Sequence, residues 1–214
     1  MSVYEYRTMR IARASWPRIA DALFGGVEEE TRAAGGSLFA LCAGMIGLAS
    51  DEGVLIRTWP DEATLAQHAD PTIAFADMVV ESSYEPLLPT VRPRDGAPPR
   101  TAGVYAHRWF WLATQDWPEF ERLSEDGVWP YFESDGCEII GLWRANEPAP
   151  MTRALLLTRY PSVAHWERTR LQSAEPPPGA DAGLYRRAQD AGRRRAELTQ
   201  RSIVRLTRIL LPRS

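Results

Sequence analysis

Val104-Tyr105-Ala106-His107-Arg108-Trp109-Phe110-Trp111-Leu112, followed by Asp116-Trp117-Pro118, decides the fold, because the chain has spelled it once before. The earlier copy is Val3-Tyr4-Glu5-Tyr6-Arg7-Thr8-Met9-Arg10-Ile11, then Ser15-Trp16-Pro17. A shift of 101 residues brings the two into register, and the match runs on without a gap. Gly26-Val27 falls on Gly127-Val128, Gly35 on Gly136, Leu41 on Leu142, Leu55 on Leu156 and Pro60 on Pro161. Over residues 3–63, 13 positions are identical, where ordinary residue frequencies give about four. A period this long marks a duplicated domain, not a solenoid repeat.

Each copy reads as the same series of elements. Residues 3–11 and 104–112 are β-rich runs. Ser15 and Asp116 stand where a helix N-cap belongs, and the proline after each tryptophan suits the first helical turn, where its missing N–H is no loss. Asp116 with Glu119 has capping-box spacing. Trp16, Ile19, Leu23 and Val27 form a helical stripe, with Trp117, Phe120, Leu123 and Tyr131 as its counterpart. Both helices are expected to stop at glycine, Gly35-Gly36 and Gly136. Residues 37–45 and 138–144 read as second strands, and 54–59 and 154–160 as third strands. Asp61 and Ser162 are expected to cap second helices. Residues 79–88 and 202–211 read as fourth strands, each running into Leu-Leu-Pro.

The second copy carries extra residues at about 175–199: the proline-rich Glu175–Gly179 and an arginine-rich helix from about Ala182 to Thr199. That helix is expected at the surface, with Arg187, Arg194 and Arg195 largely solvated. The expected division is a first unit at 1–91, a Pro/Gly-rich linker at 92–102 and a second unit at 103–214. A βαββαβ unit is ferredoxin-like, a four-stranded antiparallel sheet with both helices on one face. Its bare apolar face must be buried. The expected fold class is therefore α+β: two fused ferredoxin-like units forming an intramolecular α/β barrel.

Composition narrows the chemistry. All 25 basic residues are arginine, so Schiff-base chemistry and covalent pyridoxal phosphate, which need a lysine amine, are excluded. The formal net charge is −3. Residues 182–214 hold nine arginines against Asp190 and Glu197, +7, which leaves −10 for the remainder. Because the positive charge is confined to one end of an acidic chain, no nucleic-acid partner is expected. There is no apolar run long enough for a membrane span and no basic-then-apolar leader, so a cytoplasmic protein is expected. Two cysteines do not form a disulfide framework.

Several runs carry a family likeness. They are Val104-Tyr105-Ala106-His107-Arg108, Trp117-Pro118-Glu119-Phe120, Gly141-Leu142-Trp143-Arg144, Arg159-Tyr160-Pro161-Ser162 and Arg208-Ile209-Leu210-Leu211-Pro212, with Tyr4-Glu5-Tyr6-Arg7-Thr8 in the first copy. These resemble the NIPSNAP-like proteins of the dimeric α/β barrel superfamily. The resemblance implies a barrel usually closed by pairing two chains, here supplied by one. It also implies a superfamily that includes cofactor-free monooxygenases, isomerases, cyclases, haem-binding enzymes and stress-response proteins. The chain is expected to act as a monomeric pseudo-dimer or as a homodimer.

Searching for chemistry leaves one place. The three histidines, His68, His107 and His165, are scattered, and no metal motif, phosphate loop or nucleophile elbow is present, so no metal and no cofactor are expected. Strand alternation separates Val104, Ala106, Arg108, Phe110 and Leu112 from Tyr105, His107, Trp109 and Trp111. The Phe110/Leu112 set should pack under the helices and leave the aromatic set facing the barrel interior. His107, the one histidine on that face, is the candidate catalytic residue, since imidazole titrates near neutrality. Tyr4, Tyr6, Tyr105, Trp109 and Trp111 are the candidate ligand-binding residues, each combining an apolar body with a hydrogen-bonding tip. The aromatics equally suit plain filling of a small barrel. The function expected is binding of a small aromatic or partly apolar molecule, with or without cofactor-independent catalysis. The alternative is a non-catalytic module that binds another protein through its outer surface.

Overall fold

The proline after each tryptophan begins a helix directly behind the first strand, and everything else in each unit follows from that hairpin-like start. The computed structural model describes residues 2–68, 70–146 and 150–212. In the first half the elements are β1 (Val3–Ile11), α1 (Trp16–Ala22), α2 (Glu28–Ala33), β2 (Ser37–Ile46), β3 (Glu52–Trp59), α3 (Glu62–Gln67) and β4 (Val79–Arg92). The second half repeats them as β5 (Val104–Ala113), α4 (Trp117–Arg122), α5 (Trp129–Ser134), β6 (Glu138–Ala145), β7 (Met151–Tyr160), α6 (Val163–Arg168) and β8 (Thr199–Leu210), and adds α7 (Ala182–Leu198) before β8. The hydrogen-bonded order β1-β3-β2-β8-β5-β7-β6-β4 is a closed, eight-stranded antiparallel barrel.

The repeat holds at the level of single residues. Glu5, Arg7 and Val3 pair with Arg57, Leu55 and Trp59 on β3. Their equivalents Ala106, Arg108 and Val104 pair with Thr158, Leu156 and Tyr160 on β7. A bulge falls between Leu38 and Ala40 in β2 and between Ile139 and Gly141 in β6, again 101 residues apart. The first helix of each half passes through a π-turn at the same place, Leu23–Val27 and Leu123–Val128. Gly35 and Gly136 end these helices with φ of +80° and +84°, which costs a residue without Cβ nothing.

Capping differs from expectation at two sites. Ser15 and Asp116 adopt helical backbone angles and make no side-chain cap hydrogen bond. Residues 114–116 already form a 3-10 turn, so the helix starts without a cap, and Glu119 instead binds Arg194. Asp61 and Ser162 do cap, accepting from the backbone N–H of Thr64 and His165.

Two compact units emerge. The first is Met1–Pro89, Pro93–Ala102 and Arg205–Ser214; the second is Thr90–Arg92 and Gly103–Val204. In the first, Met9, Ile11, Ile19, Leu23, Leu41 and Leu55 form the core between sheet and helices. In the second, Phe110, Leu112, Phe120, Trp129, Leu142 and Leu156 do the same. The even-numbered β5 residues therefore face the helices. The unbroken β5–β7 register leaves the odd-numbered set on the opposite face.

α7 has no equivalent in the first half. Its buried residues are Tyr185, Ala188, Ala191, Arg195 and Leu198, steps of three and four that describe one helical face. Arg195 was expected in solvent. It is 7% exposed, because its position belongs to the face that packs on the sheet.

Candidate functional site

Alternation along the first strands places the sequence-derived candidates as follows. Tyr105, His107 and Trp109 lie on the face of β5 away from the helices, and all three are buried, His107 completely. Cross-strand neighbours of His107 and Trp109 are Leu157 and Leu155. The Arg153 guanidinium sits 5.1 Å from the Trp109 ring centre, and Arg201 sits 4.9 Å from that of Trp111, which is half-buried. In the first unit Tyr4 and Tyr6 are buried, and Tyr4 meets Phe39 edge-on at 5.2 Å. Burial and the nearby Asp95 carboxylate push the Tyr4 phenol up to about 12.

The large cavity of the second unit lies on the other face, between β5, β7 and α7. Its volume is about 700 Å³, within the range of small-molecule sites. Phe110, Val128, Trp129, Phe132, Ile139, Leu156 and Trp166 supply an apolar wall. Thr158, Tyr160, Gln172, Gln189 and the arginines 108, 170, 193, 195 and 201 supply polar groups, and among the described residues no Asp or Glu lines it. Arg195 reaches in from α7, with its guanidinium 5.0 Å from the Phe110 ring centre and 4.6 Å from that of Phe120. Its Nε has no hydrogen-bond partner. Burial, and then the neighbouring Arg108, push this guanidinium down to about 9, with Tyr160 opposing. Burial likewise lowers Arg108, with Tyr160 pulling up and Arg170 down. Burial also raises the Tyr160 phenol.

The equivalent place in the first unit is filled. Glu5, wholly buried, accepts from Arg7 Nε at 2.7 Å and from Arg57 Nε at 2.8 Å, and Trp59 Nε1 donates to it at 3.0 Å. Arg57 stacks on Trp59 at 4.6 Å, and Trp59 stacks on His68 at 5.7 Å. Arg7 also reaches Ser82 Oγ at 2.8 Å and Asp70 at 3.5 Å. One carboxylate thus joins two guanidiniums under the helices.

A third group comes together that sequence spacing does not announce. Asp135 and Cys137, at the end of α5, meet His165 of α6. His165 Nε2 lies 3.2 Å from Asp135 Oδ2 and 3.6 Å from Cys137 Sγ, while Nδ1 faces Arg168 at 3.1 Å. Cysteine and carboxylate share one ring nitrogen, so the relay of a nucleophilic triad, which needs both nitrogens, is not formed. Burial pushes the thiol up to about 12 and lowers His165, partly against Asp135. This is a part-buried polar knot without an activated thiolate.

Among the described residues no group of three or more His, Cys, Asp and Glu side chains is arranged to hold a metal. Haem, implied by the superfamily resemblance, would find neither imidazole nor thiolate among the residues lining the cavity; Tyr160 is the one phenol there, and burial raises it away from the phenolate form. No described helix is long and apolar enough to cross a membrane.

Solved structures share this architecture. A provisionally described monooxygenase from Fusobacterium nucleatum matches with a TM-score of 0.59 at 9% identity, over 98% of this chain and 93% of that one. At this identity the likeness is one of fold, an α+β closed antiparallel barrel. An anthrone oxidase-like protein matches with a TM-score of 0.57 at 10% identity, over 98% and 92%. A NIPSNAP domain protein from Burkholderia xenovorans covers 44% of this chain and 99% of its own at 20% identity, with a TM-score of 0.32, too low to carry weight. No family model and no curated protein matches the chain.

Proposed function

We propose that this NIPSNAP-like α/β barrel protein binds a small, partly apolar molecule in the cavity between the sheet and α7 of its second unit. The observation that carries the reading is the cavity itself: about 700 Å³ with an aromatic wall and convergent polar side chains. Two proteins of the same fold carry the names monooxygenase and anthrone oxidase-like. A cofactor-independent enzyme of monooxygenase, isomerase or cyclase type is the catalytic form of this proposal. Phenylnaphthylamine, an uncharged dye that brightens in apolar sites, tests it. Saturable binding of one dye per chain, with energy transfer from Trp129 and Trp166, is expected. Absence of saturable binding would sink the reading.

A second place for chemistry is the aromatic face around His107. The observation favouring it is a fully buried histidine between Tyr105 and Trp109 on one strand face. There His107 would exchange a proton with a ligand held by Tyr105, Trp109 and Trp111; Tyr4 and Tyr6 are the corresponding candidates on β1 of the first unit.

A further inference from the structure

The two halves of the chain answer one packing problem in opposite ways. In the first, Arg7 is a buried cation under the helices, and Glu5 on the same strand neutralises it at 2.7 Å. In the second, the same strand position holds Arg108, but Glu5 has become Ala106, Arg57 has become Thr158 and Trp59 has become Tyr160. Each replacement removes volume, and together they open the space that the cavity occupies. The cation stays while its counterion goes.

α7 then adds a second cation. Arg195 is 7% exposed and its Nε is buried without a hydrogen-bond partner. Arg170 and Arg193, nearer the rim, have Glu167 at 3.6 Å and Asp190 at 3.0 Å. Among the described residues neither Arg108 nor Arg195 has a carboxylate partner, and no acidic side chain lines the cavity. A buried guanidinium, Arg195, and a half-buried one, Arg108, repel each other in one cavity and cost free energy until an anion joins them. Arginine's planar fork matches a carboxylate in geometry.

Resting on the small-molecule reading above, we infer that the ligand is a small organic anion, an aromatic or otherwise apolar acid. Its carboxylate takes the place that Glu5 holds in the first unit, against Arg108 and Arg195, and its body lies against Trp129, Phe132 and Trp166. The ligand supplies from outside the charge that the first unit supplies from within.

Matched dyes test this. Anilinonaphthalene sulfonate and phenylnaphthylamine share a body and differ by one anionic group. The sulfonate is expected to bind the intact protein more tightly. Arg195→Gln is expected to weaken the sulfonate about tenfold or more, the range of a charge-assisted hydrogen bond, and to change phenylnaphthylamine less than about twofold. Ala106→Glu restores the internal carboxylate of the first unit. It is expected to displace the sulfonate to a similar degree while raising the melting temperature, which separates loss of the site from loss of the fold. Equal binding of both dyes, unmoved by either substitution, overturns the anion inference and leaves the small-molecule reading standing. Failure of both dyes to bind overturns both.

Discussion

Replacing Glu5 is the sharpest test of how the first unit is held together. Its carboxylate is wholly buried and is the meeting point of Arg7, Arg57 and Trp59 at 2.7–3.0 Å. Glu5→Ala leaves two guanidiniums, each 3% exposed, facing a void, with the half-exposed Asp70 3.5 Å from Arg7. Removing one partner of a buried ion pair costs about 3–5 kcal/mol. For a chain of this size each kcal/mol moves the melting temperature by about 2–4 °C, so a fall of about 6–20 °C is expected. Glu5→Gln keeps the shape and removes the charge. If charge compensation dominates, Gln loses nearly as much as Ala; if volume dominates, it stays near the parent. Urea denaturation of both variants, checked for an unchanged m-value, measures this. A Gln variant within about 1 kcal/mol of the parent would refute the idea that Glu5 acts as a buried counterion.

Other expectations follow from the same geometry. A Cβ at Gly127 would stand 2.3 Å from the Ala191 Cβ, so Gly127→Ala should push α7 outward, cost about 1–3 kcal/mol and weaken dye binding by displacing Arg195; unchanged stability and affinity would show that the helices yield freely. His107→Ala should lower stability by about 1–3 kcal/mol with phenylnaphthylamine binding intact; lost binding at an unchanged melting temperature would move the ligand to the strand face that carries His107. The Arg195 guanidinium is pushed down to about 9 by burial and Arg108, with Tyr160 opposing, which lies below its value in the unfolded chain. The unfolded chain therefore binds the extra proton above pH 9, and this group's destabilising contribution, full below that pH, is relieved as pH rises through it. Sulfonate binding, which needs the charged form, should weaken over the same range while phenylnaphthylamine binding does not; parallel curves for both dyes would exclude Arg195 as the anion's partner.

The fold was legible because its signals are local and doubled. Trp16-Pro17 and Trp117-Pro118 mark the same helix start, and Gly35 and Gly136 the same stop, so each reading checks the other. Strand alternation placed Phe110 and Leu112 under the helices without knowledge of any partner strand. The site was less legible because its groups meet through tertiary contacts. Glu5 and Arg57 are 52 residues apart and Cys137 and His165 are 28 apart, and no spacing rule joins them. Arg195 misled for another reason. Counted as one of many charges on an arginine-rich helix it reads as solvated. Placed in the series Tyr185, Ala188, Ala191, Arg195, Leu198, it is the single charged residue on the apolar face. That mismatch was available in the sequence, and it marks where local pattern and burial disagree.

A buried arginine beside a half-buried one, with no carboxylate partner among the described residues, is a poor way to stabilise a fold, and the first unit shows that this sheet has a better one. Replacing Ala106 by glutamate is a single-residue route to the Glu5–Arg7 arrangement, on an identical strand register. The second unit instead keeps Arg108, loses the carboxylate and acquires α7, whose packing against the π-turn at Gly127 carries Arg195 to the same spot. If the cavity only filled space, an apolar residue at position 195 would serve the series on α7 better and avoid the desolvation penalty. Two independent elements, β5 and α7, deliver cations to one cavity, and that convergence supports the proposed anion site. It also fixes the order of dependence. Without α7 the chamber would lose Arg195 and the residues from Gln189 to Ala196 that line it, so a ligand held there should protect α7 amides from hydrogen exchange. Protection confined to β5 and β7, with α7 exchanging as in the empty protein, would place the ligand elsewhere.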